Sequence, residues 1–172
     1  MTETHDICSG RLRATIRARG GEMIALSDAD GPLLWHGGPE WPRHTPVLFP
    51  IVGRLADDML IHEGRSYHLT QHGFARDSLF RWVERAPDRA VLELRESAET
   101  LEHYPFRFVL QMIYETADDA LSVTTRVSNP AETTLICGVG AHPAFLWPLA
   151  KGAAKEDHRL SLLRPEPGPS LG

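Results

Sequence analysis

Arg11-Leu-Arg-Ala-Thr-Ile-Arg-Ala-Arg19 alternates without a break: Leu12, Ala14, Ile16 and Ala18 fall on one side, Arg11, Arg13, Thr15, Arg17 and Arg19 on the other. A period of two belongs to a β-strand with one dry face and one wet face. The flanking text continues in the same mode. Gly20-Gly21 permits a tight turn, and Met23 to Ser27 and Pro32 to Trp35 read as short strands parted by Asp28-Ala-Asp-Gly31, so the chain opens as a β-meander. Leu79 to Glu84 and Ala90 to Glu96 predict a hairpin across Ala86-Pro-Asp-Arg89. Phe106, Phe108, Leu110, Met112 and Tyr114 keep step in one strand, and Leu121, Val123, Thr125 and Val127 in the next, which ends at Asn129-Pro130.

Helical text is scarce. Ser97 to Tyr104 has helical composition, but it is about two turns long and Pro105 stops it, so it reads as a single helical turn. Prolines 39, 42, 46 and 50 make a helix or a central strand improbable from Gly37 to Gly53, which predicts an ordered irregular loop. Ser66 to Leu69 reads as a strand running into Gln71-His-Gly-Phe74, and the apolar run Thr133 to Val139 leads into Gly140-Ala-His-Pro143. Beyond Leu149 the text turns polar, with one last strand expected at Arg159 to Leu163 and an irregular tail at 164–172. Thirteen prolines and fourteen glycines, spread as punctuation between apolar runs, complete the texture of an all-β domain spanning 1–172.

Composition excludes several function classes. With 172 residues, 18 Lys and Arg against 23 Asp and Glu and a net charge of −5, the chain lacks the basic balance of a nucleic-acid binder. Hydrophobic residues at 42% and charged residues at 24% exclude a disordered scaffold. The longest apolar stretches, such as Thr45 to Val52, are broken by proline and fall far short of the roughly 20 residues that span a membrane. The first residues carry no secretory pattern and only Cys8 and Cys137 are present, so a reduced, cytoplasmic setting is expected.

Of nine histidines, His62, His68, His72 and His142 stand in specialised text. His68 and His72 are four apart, the spacing of two zinc ligands on a helix, yet Tyr67 and Leu69 point to a strand, Gly73 follows at once and position 69 is not Glu. No metal site is expected. A Gly-rich phosphate loop, a Gly-x-Ser-x-Gly elbow and a Cys-x-x-Cys pair are all missing. What remains is histidine acid–base chemistry or binding, since imidazole exchanges its proton near neutrality. Against that stands the plainer role of a turn histidine satisfied by backbone hydrogen bonds.

Three segments taken together narrow the choice. Pro46-Val-Leu-Phe-Pro-Ile-Val-Gly-Arg54-Leu, Gln71-His72-Gly-Phe-Ala-Arg-Asp77 and Gly140-Ala-His142-Pro-Ala-Phe145 resemble the three N-terminal signatures of the aldose 1-epimerase, or galactose mutarotase, family, above all its LacX-like bacterial branch. Gly21-Glu-Met23, Leu34-Trp35, Tyr104-Pro-Phe106 and Asn129-Pro130 agree, and the resemblance runs from about Arg11 to Glu166. It implies an antiparallel β-sandwich that binds a free aldose such as glucose or galactose and interconverts its α and β anomers without metal or organic cofactor. In that family the His of the His-Pro segment protonates the ring oxygen, a role that falls here on His142, while a Glu takes the proton from the C1 hydroxyl. His72 would hydrogen-bond the sugar near the reacting centre, and Arg54 would bind sugar hydroxyls. Phe74 and Phe145 would line the sugar or pack in the core, and Arg76 and Asp77 would pair to fix the loop.

The family's catalytic Glu lies far downstream of the His-Pro segment, with a sugar-binding Asp between them, and neither motif is found here. Beyond Leu149 only Glu156, Asp157 and Glu166 offer carboxylates. The chain therefore resembles the N-terminal portion of a mutarotase: a sandwich incomplete at its C-terminus, with strand faces left open to water. Two functions follow, an active aldose 1-epimerase or a truncated, catalytically inactive carbohydrate-binding remnant. A metal-dependent cupin-type barrel is a third class, but its short-spaced strand-borne ligands are not evident. The expected partner is a small-molecule sugar, with neither nucleic acid nor membrane. Arg65 and Arg76, near the second motif, admit a sugar phosphate.

Overall fold

The structure, a computed structural model, describes residues 3–149, 152–159 and 161. Its strands are β1 (Thr4–Ser9), β2 (Leu12–Arg17), β3 (Glu22–Asp28), β4 (Gly31–Pro32), β5 (Val47–Leu48), β6 (Met59–His62), β7 (Arg65–His68), β8 (Arg81–Arg85), β9 (Arg89–Arg95), β10 (Val109–Ala117), β11 (Ala120–Ser128) and β12 (Gly140–Ala141), with the helix α1 (Ala98–His103) between β9 and β10. One four-stranded sheet runs β1-β2-β3-β4 and the other β11-β10-β9-β8, every pairing antiparallel. The expected last strand and tail fall outside the described residues, except for Arg159 and Ser161, which are not in a strand.

Alternation decides which face each strand buries. Ala14, Ile16 and Ala18 are buried, as their period requires, while Arg13 and Arg19 are exposed. Leu110, Met112 and Tyr114 of β10 and Leu92 and Leu94 of β9 face them, so the core lies between the two sheets. Each such fully buried side chain contributes about 1.5–3 kcal/mol. The buried Tyr114 hydroxyl donates across the core to the Gly21 carbonyl at 2.7 Å, and burial raises its pKa well above the tyrosine range. Ser97 caps α1: its hydroxyl accepts the Thr100 N–H at 3.2 Å while its own N–H donates to the Thr100 hydroxyl at 2.8 Å.

Several boundaries differ from the sequence expectation. The stretch from Gly37 to Gly53 is mostly irregular, but Val47 and Leu48, between Pro46 and Pro50, keep their N–H groups and form β5 against β12. The strand expected at Pro32 to Trp35 shrinks to β4, and Leu34 makes only an isolated bridge to Phe145. β10 begins at Val109, although burial alternates from Phe106 onward. β1 and β6 carry too little apolar alternation to stand out and owe their strand form to pairing with β2 and β7.

One flank of the core is open. Leu121, Val123, Thr125 and Val127 of the edge strand β11 lie beside Thr116, Tyr114, Met112 and Leu110 on the inner face, yet none is buried and Val123 is 47% exposed. With Phe145, 51% exposed, Leu121, Val123 and Thr125 border an apolar groove of about 290 Å³ that reaches Met23, Leu26 and Val47. These are the uncovered strand faces that the sequence leads one to expect.

Candidate active site

The segment from Val47 to Gly53 is the bench on which the site is assembled. On one side β12 pairs with β5, Gly140 opposite Leu48 and Ala141 opposite Val47, and the Gly138 N–H donates to the Pro50 carbonyl at 2.7 Å. This pairing delivers His142. On the other side Gly73 bridges Phe49 in parallel, the Phe49 N–H donates to the His72 carbonyl at 3.3 Å, and the His72 N–H donates to the Gly53 carbonyl at 2.8 Å. These bonds deliver His72. Two segments seventy residues apart thus meet because both dock on one short run of chain.

The approach is close enough to dictate residue type. His72 and Gly73 both adopt left-handed backbone, with φ of 65° and 67°. A Cβ at Gly73 would collide with the Phe49 carbonyl oxygen and lie 2.5 Å from Pro50 Cδ, so only glycine fits. A left-handed histidine is an uncommon conformation, of the kind that concentrates at functional sites. Beneath this turn Phe49 packs on Phe108 at 5.0 Å, and edge-on against Phe74 and Tyr104 at 6.2 and 6.1 Å between ring centroids. Phe74 therefore belongs to the supporting core, and Phe145 borders the open groove.

The His72 ring is fixed by a backbone donor. The Gly53 N–H donates to His72 Nδ1 at 3.0 Å, so that nitrogen carries no proton and the neutral ring keeps its proton on Nε2, free to donate. Burial above all, then the charges of Arg76, His142 and Arg43, hold the imidazole below the usual histidine range. His72 is half-buried; His142 is exposed, its ring packed on Trp41 at 5.3 Å. Neither lines the apolar groove or the clefts of about 580 and 800 Å³.

Arg54 follows Gly53 directly but turns away into a bidentate pair with Asp58, Nε to Oδ1 at 2.7 Å and Nη2 to Oδ2 at 2.6 Å. That partnership raises the arginine pKa and holds the Asp58 carboxyl below its usual range. Arg76 and Asp77 do approach, at 3.6 Å, and Asp77 also accepts from Arg43 at 3.0 Å. Arg65 lies on the β6–β7 hairpin. His68 ends a strand and His72 lies in the turn beyond it, so the two do not share a helix face, and among the described residues no three His, Cys, Asp or Glu gather around a possible metal. Sequence reasoning passed over Trp41 and Arg43. Their only signal is an aromatic and a guanidinium held among prolines, side chains suited to stacking and to anion recognition.

The chain is 32% identical over 157 residues to the chromosomal LacX protein of Lactococcus lactis subsp. lactis, a match covering 87% of this chain and 52% of LacX. Its fold superposes on a galactose mutarotase related enzyme from Lactobacillus acidophilus with a TM-score of 0.85 and 36% identity, over 90% of this chain and 52% of that one. A galactose mutarotase-like protein from Lactobacillus casei gives a TM-score of 0.80 and 33% identity, over 84% and 50% of the two chains. The chain thus spans about half the length of the relatives it matches. The profile of the family described as Aldose 1-epimerase matches residues 3–164, and the chain belongs to that family.

Proposed function

We propose that the face formed by His72 and His142 binds a free aldose such as glucose or galactose and that the chain interconverts its α and β anomers. The observation that carries the reading is the convergence of the two histidines on the Val47–Gly53 segment, with the His72 tautomer set by the Gly53 N–H. Opening a cyclic hemiacetal needs a proton at the ring oxygen and loss of one from the C1 hydroxyl. His142, exposed and packed on Trp41, donates to the ring oxygen while the C1 hydroxyl gives its proton to solvent water; the ring opens to the aldehyde, C1 rotates, and closure on the other face reverses both transfers. His72 holds a sugar oxygen through Nε2–H and, being kept neutral, stays a donor without competing as the acid. Arg54 contributes a hydroxyl contact through the guanidinium edge that Asp58 leaves free. The setting is cytoplasmic.

One observation favours a second reading, an inert sugar-binding module. Among the described residues, the charges that shift His72 are Arg76, His142 and Arg43, none of them a carboxylate that could take the C1 proton. The readings part in one assay: approach of fresh α-anomer to equilibrium by NMR or polarimetry. An active epimerase shortens it and His142→Ala restores the uncatalysed rate. The inert module binds sugar and leaves the rate unchanged.

A further inference from the structure

Glu22, the centre of the Gly21-Glu-Met23 motif, is a carboxylate that plays no part in the proton transfers, and it is only 3% exposed. A buried carboxylate persists where donors meet its oxygens. Here they come from two directions. Oε2 accepts from Arg17 Nη2, its neighbour across the β2–β3 pair, at 2.6 Å. Oε1 accepts two backbone donors of the proline-rich loop, the His44 N–H at 2.8 Å and the Thr45 N–H at 2.9 Å. The His44 imidazole is not one of the donors, since its Nδ1 lies 3.8 Å from the same oxygen, beyond hydrogen-bond distance. The Thr45 hydroxyl adds a bond to the Met23 carbonyl at 2.8 Å, so residues 44 and 45 are fastened to the start of β3. The anchor is held in turn: the carbonyl of the preceding Gly21 accepts the Tyr114 hydroxyl from across the core.

What hangs from this loop is His142. The His44 carbonyl accepts the N–H of Ala144, two residues beyond His142, at 2.9 Å, and Val47 pairs with Ala141, the residue before it. The chain on both sides of His142 is therefore bonded to residues 44–47. Trp41 of the same loop stands against the imidazole, 5.3 Å between ring centroids, and the Trp41 carbonyl accepts from Trp35 Nε1 at 2.8 Å. His72 hangs from the far end of the segment, through Phe49 and Gly53, and is reached by none of these bonds.

We infer that Glu22 is the positioning residue of His142: through the His44 and Thr45 N–H groups it fixes the loop that carries Trp41 and the Ala144 contact, and so sets where the imidazole stands. The catalytic consequence rests on the proposed role of His142 as the acid; the placement of the ring does not. What the anchor requires is an oxygen at the reach of a glutamate rather than a negative charge, because Arg17 is 30% exposed and can turn to water.

Two substitutions separate reach from charge. Glu22→Gln keeps an oxygen at the same distance and gives up the charge, whereas Glu22→Asp keeps the charge and withdraws it by one methylene. NMR of the His142 imidazole reads the outcome, because the Trp41 indole shifts the resonances of a ring packed on it, and Trp41→Leu marks the unstacked position. The expected result is His142 resonances near those of the unaltered chain in Glu22→Gln and displaced toward the Trp41→Leu position in Glu22→Asp, with His72 unmoved in both. In anomer exchange kcat falls about 10–100-fold in Glu22→Asp with little change in KM, and Glu22→Gln retains most of the rate. His142 resonances that stay put in Glu22→Asp, or move equally in both variants, overturn the positioning role. Amide exchange in the unaltered chain tests the same bonds without a variant: slow exchange at His44 and Thr45 is expected, and fast exchange overturns the role even where neither variant folds. A ring displaced only in Glu22→Asp, in a chain that never accelerates anomer exchange, keeps the positioning role and overturns the mutarotase reading. Acceleration undiminished in both variants, with His142 unmoved, does the reverse.

Discussion

Gly73→Ala is the perturbation that most directly joins backbone geometry to the site. At φ of 67° an alanine pays about 1–2 kcal/mol for left-handed backbone. Its Cβ meets the Phe49 carbonyl and Pro50 Cδ, which are backbone and ring atoms that cannot swing aside, adding about 1–3 kcal/mol of overpacking. The sum, about 2–5 kcal/mol, is a large part of the about 5–15 kcal/mol that holds a domain together. Gly64→Ala is the control: its φ is 74°, but nothing lies within 4 Å of an added Cβ, so it carries the backbone cost alone. Urea unfolding reads both, as a shift in midpoint at unchanged slope. The same collision drives His72 off the Gly53 N–H, so its imidazole, titrated by NMR, moves toward the ordinary histidine range in Gly73→Ala and stays low in Gly64→Ala. Equal destabilisation of the two variants, or an unmoved His72 titration, would refute the claim that this close approach positions the ring.

Glu93, buried between Arg95, Arg81 and Gln111, has its pKa lowered to about 2, chiefly by the Arg95 hydrogen bond. Its stabilising contribution is therefore complete above the unfolded carboxyl value and lost as pH falls toward 2, and urea midpoints from pH 6 to 2 show a smaller acid decline in Glu93→Gln. His72 acts in the same sense through a different cause. With its folded pKa below the unfolded value, the unfolded chain binds the extra proton, so stability falls as pH drops through about 6.5 and levels off once the folded ring protonates, and His72→Gln removes that segment of the curve. The open flank of β11 predicts self-association: sedimentation is expected to show mass rising with concentration and Val123→Lys to lower it, whereas a monomer at all concentrations counts against association through this face.

Much of the architecture is legible in the alternating strands. In β2 and most of β10 apolar side chains recur every second residue because one face is dry, and burial follows that period, whereas in β9 both faces are covered from Ala90 to Leu94. β1 was not legible, since Ile7 is its one fully buried residue and its strand form comes from pairing with β2. β5 was hidden by its prolines, which forbid a long strand but not two residues between them. Of the candidate site, His72 and His142 could be picked out because their flanking text forms motifs, whereas the close packing on Gly73 could not, since Phe49 and Pro50, which press on it, are distant in sequence. The contact of Arg43 was not legible either, for it shares Asp77 with Arg76 only when the proline-rich loop folds back over the 71–77 turn.

The central claim, that His142 on the shared face with His72 is the acid that opens the sugar ring, meets its most direct test in anomer equilibration. Fresh α-glucose and α-galactose are followed by NMR with the chain, with His142→Ala of unchanged melting temperature, and without protein. The account predicts equilibration faster than the uncatalysed rate for the unaltered chain, with the acceleration lost in His142→Ala. Acceleration that survives in His142→Ala, or a folded, sugar-binding chain that leaves the uncatalysed rate unchanged, would contradict it.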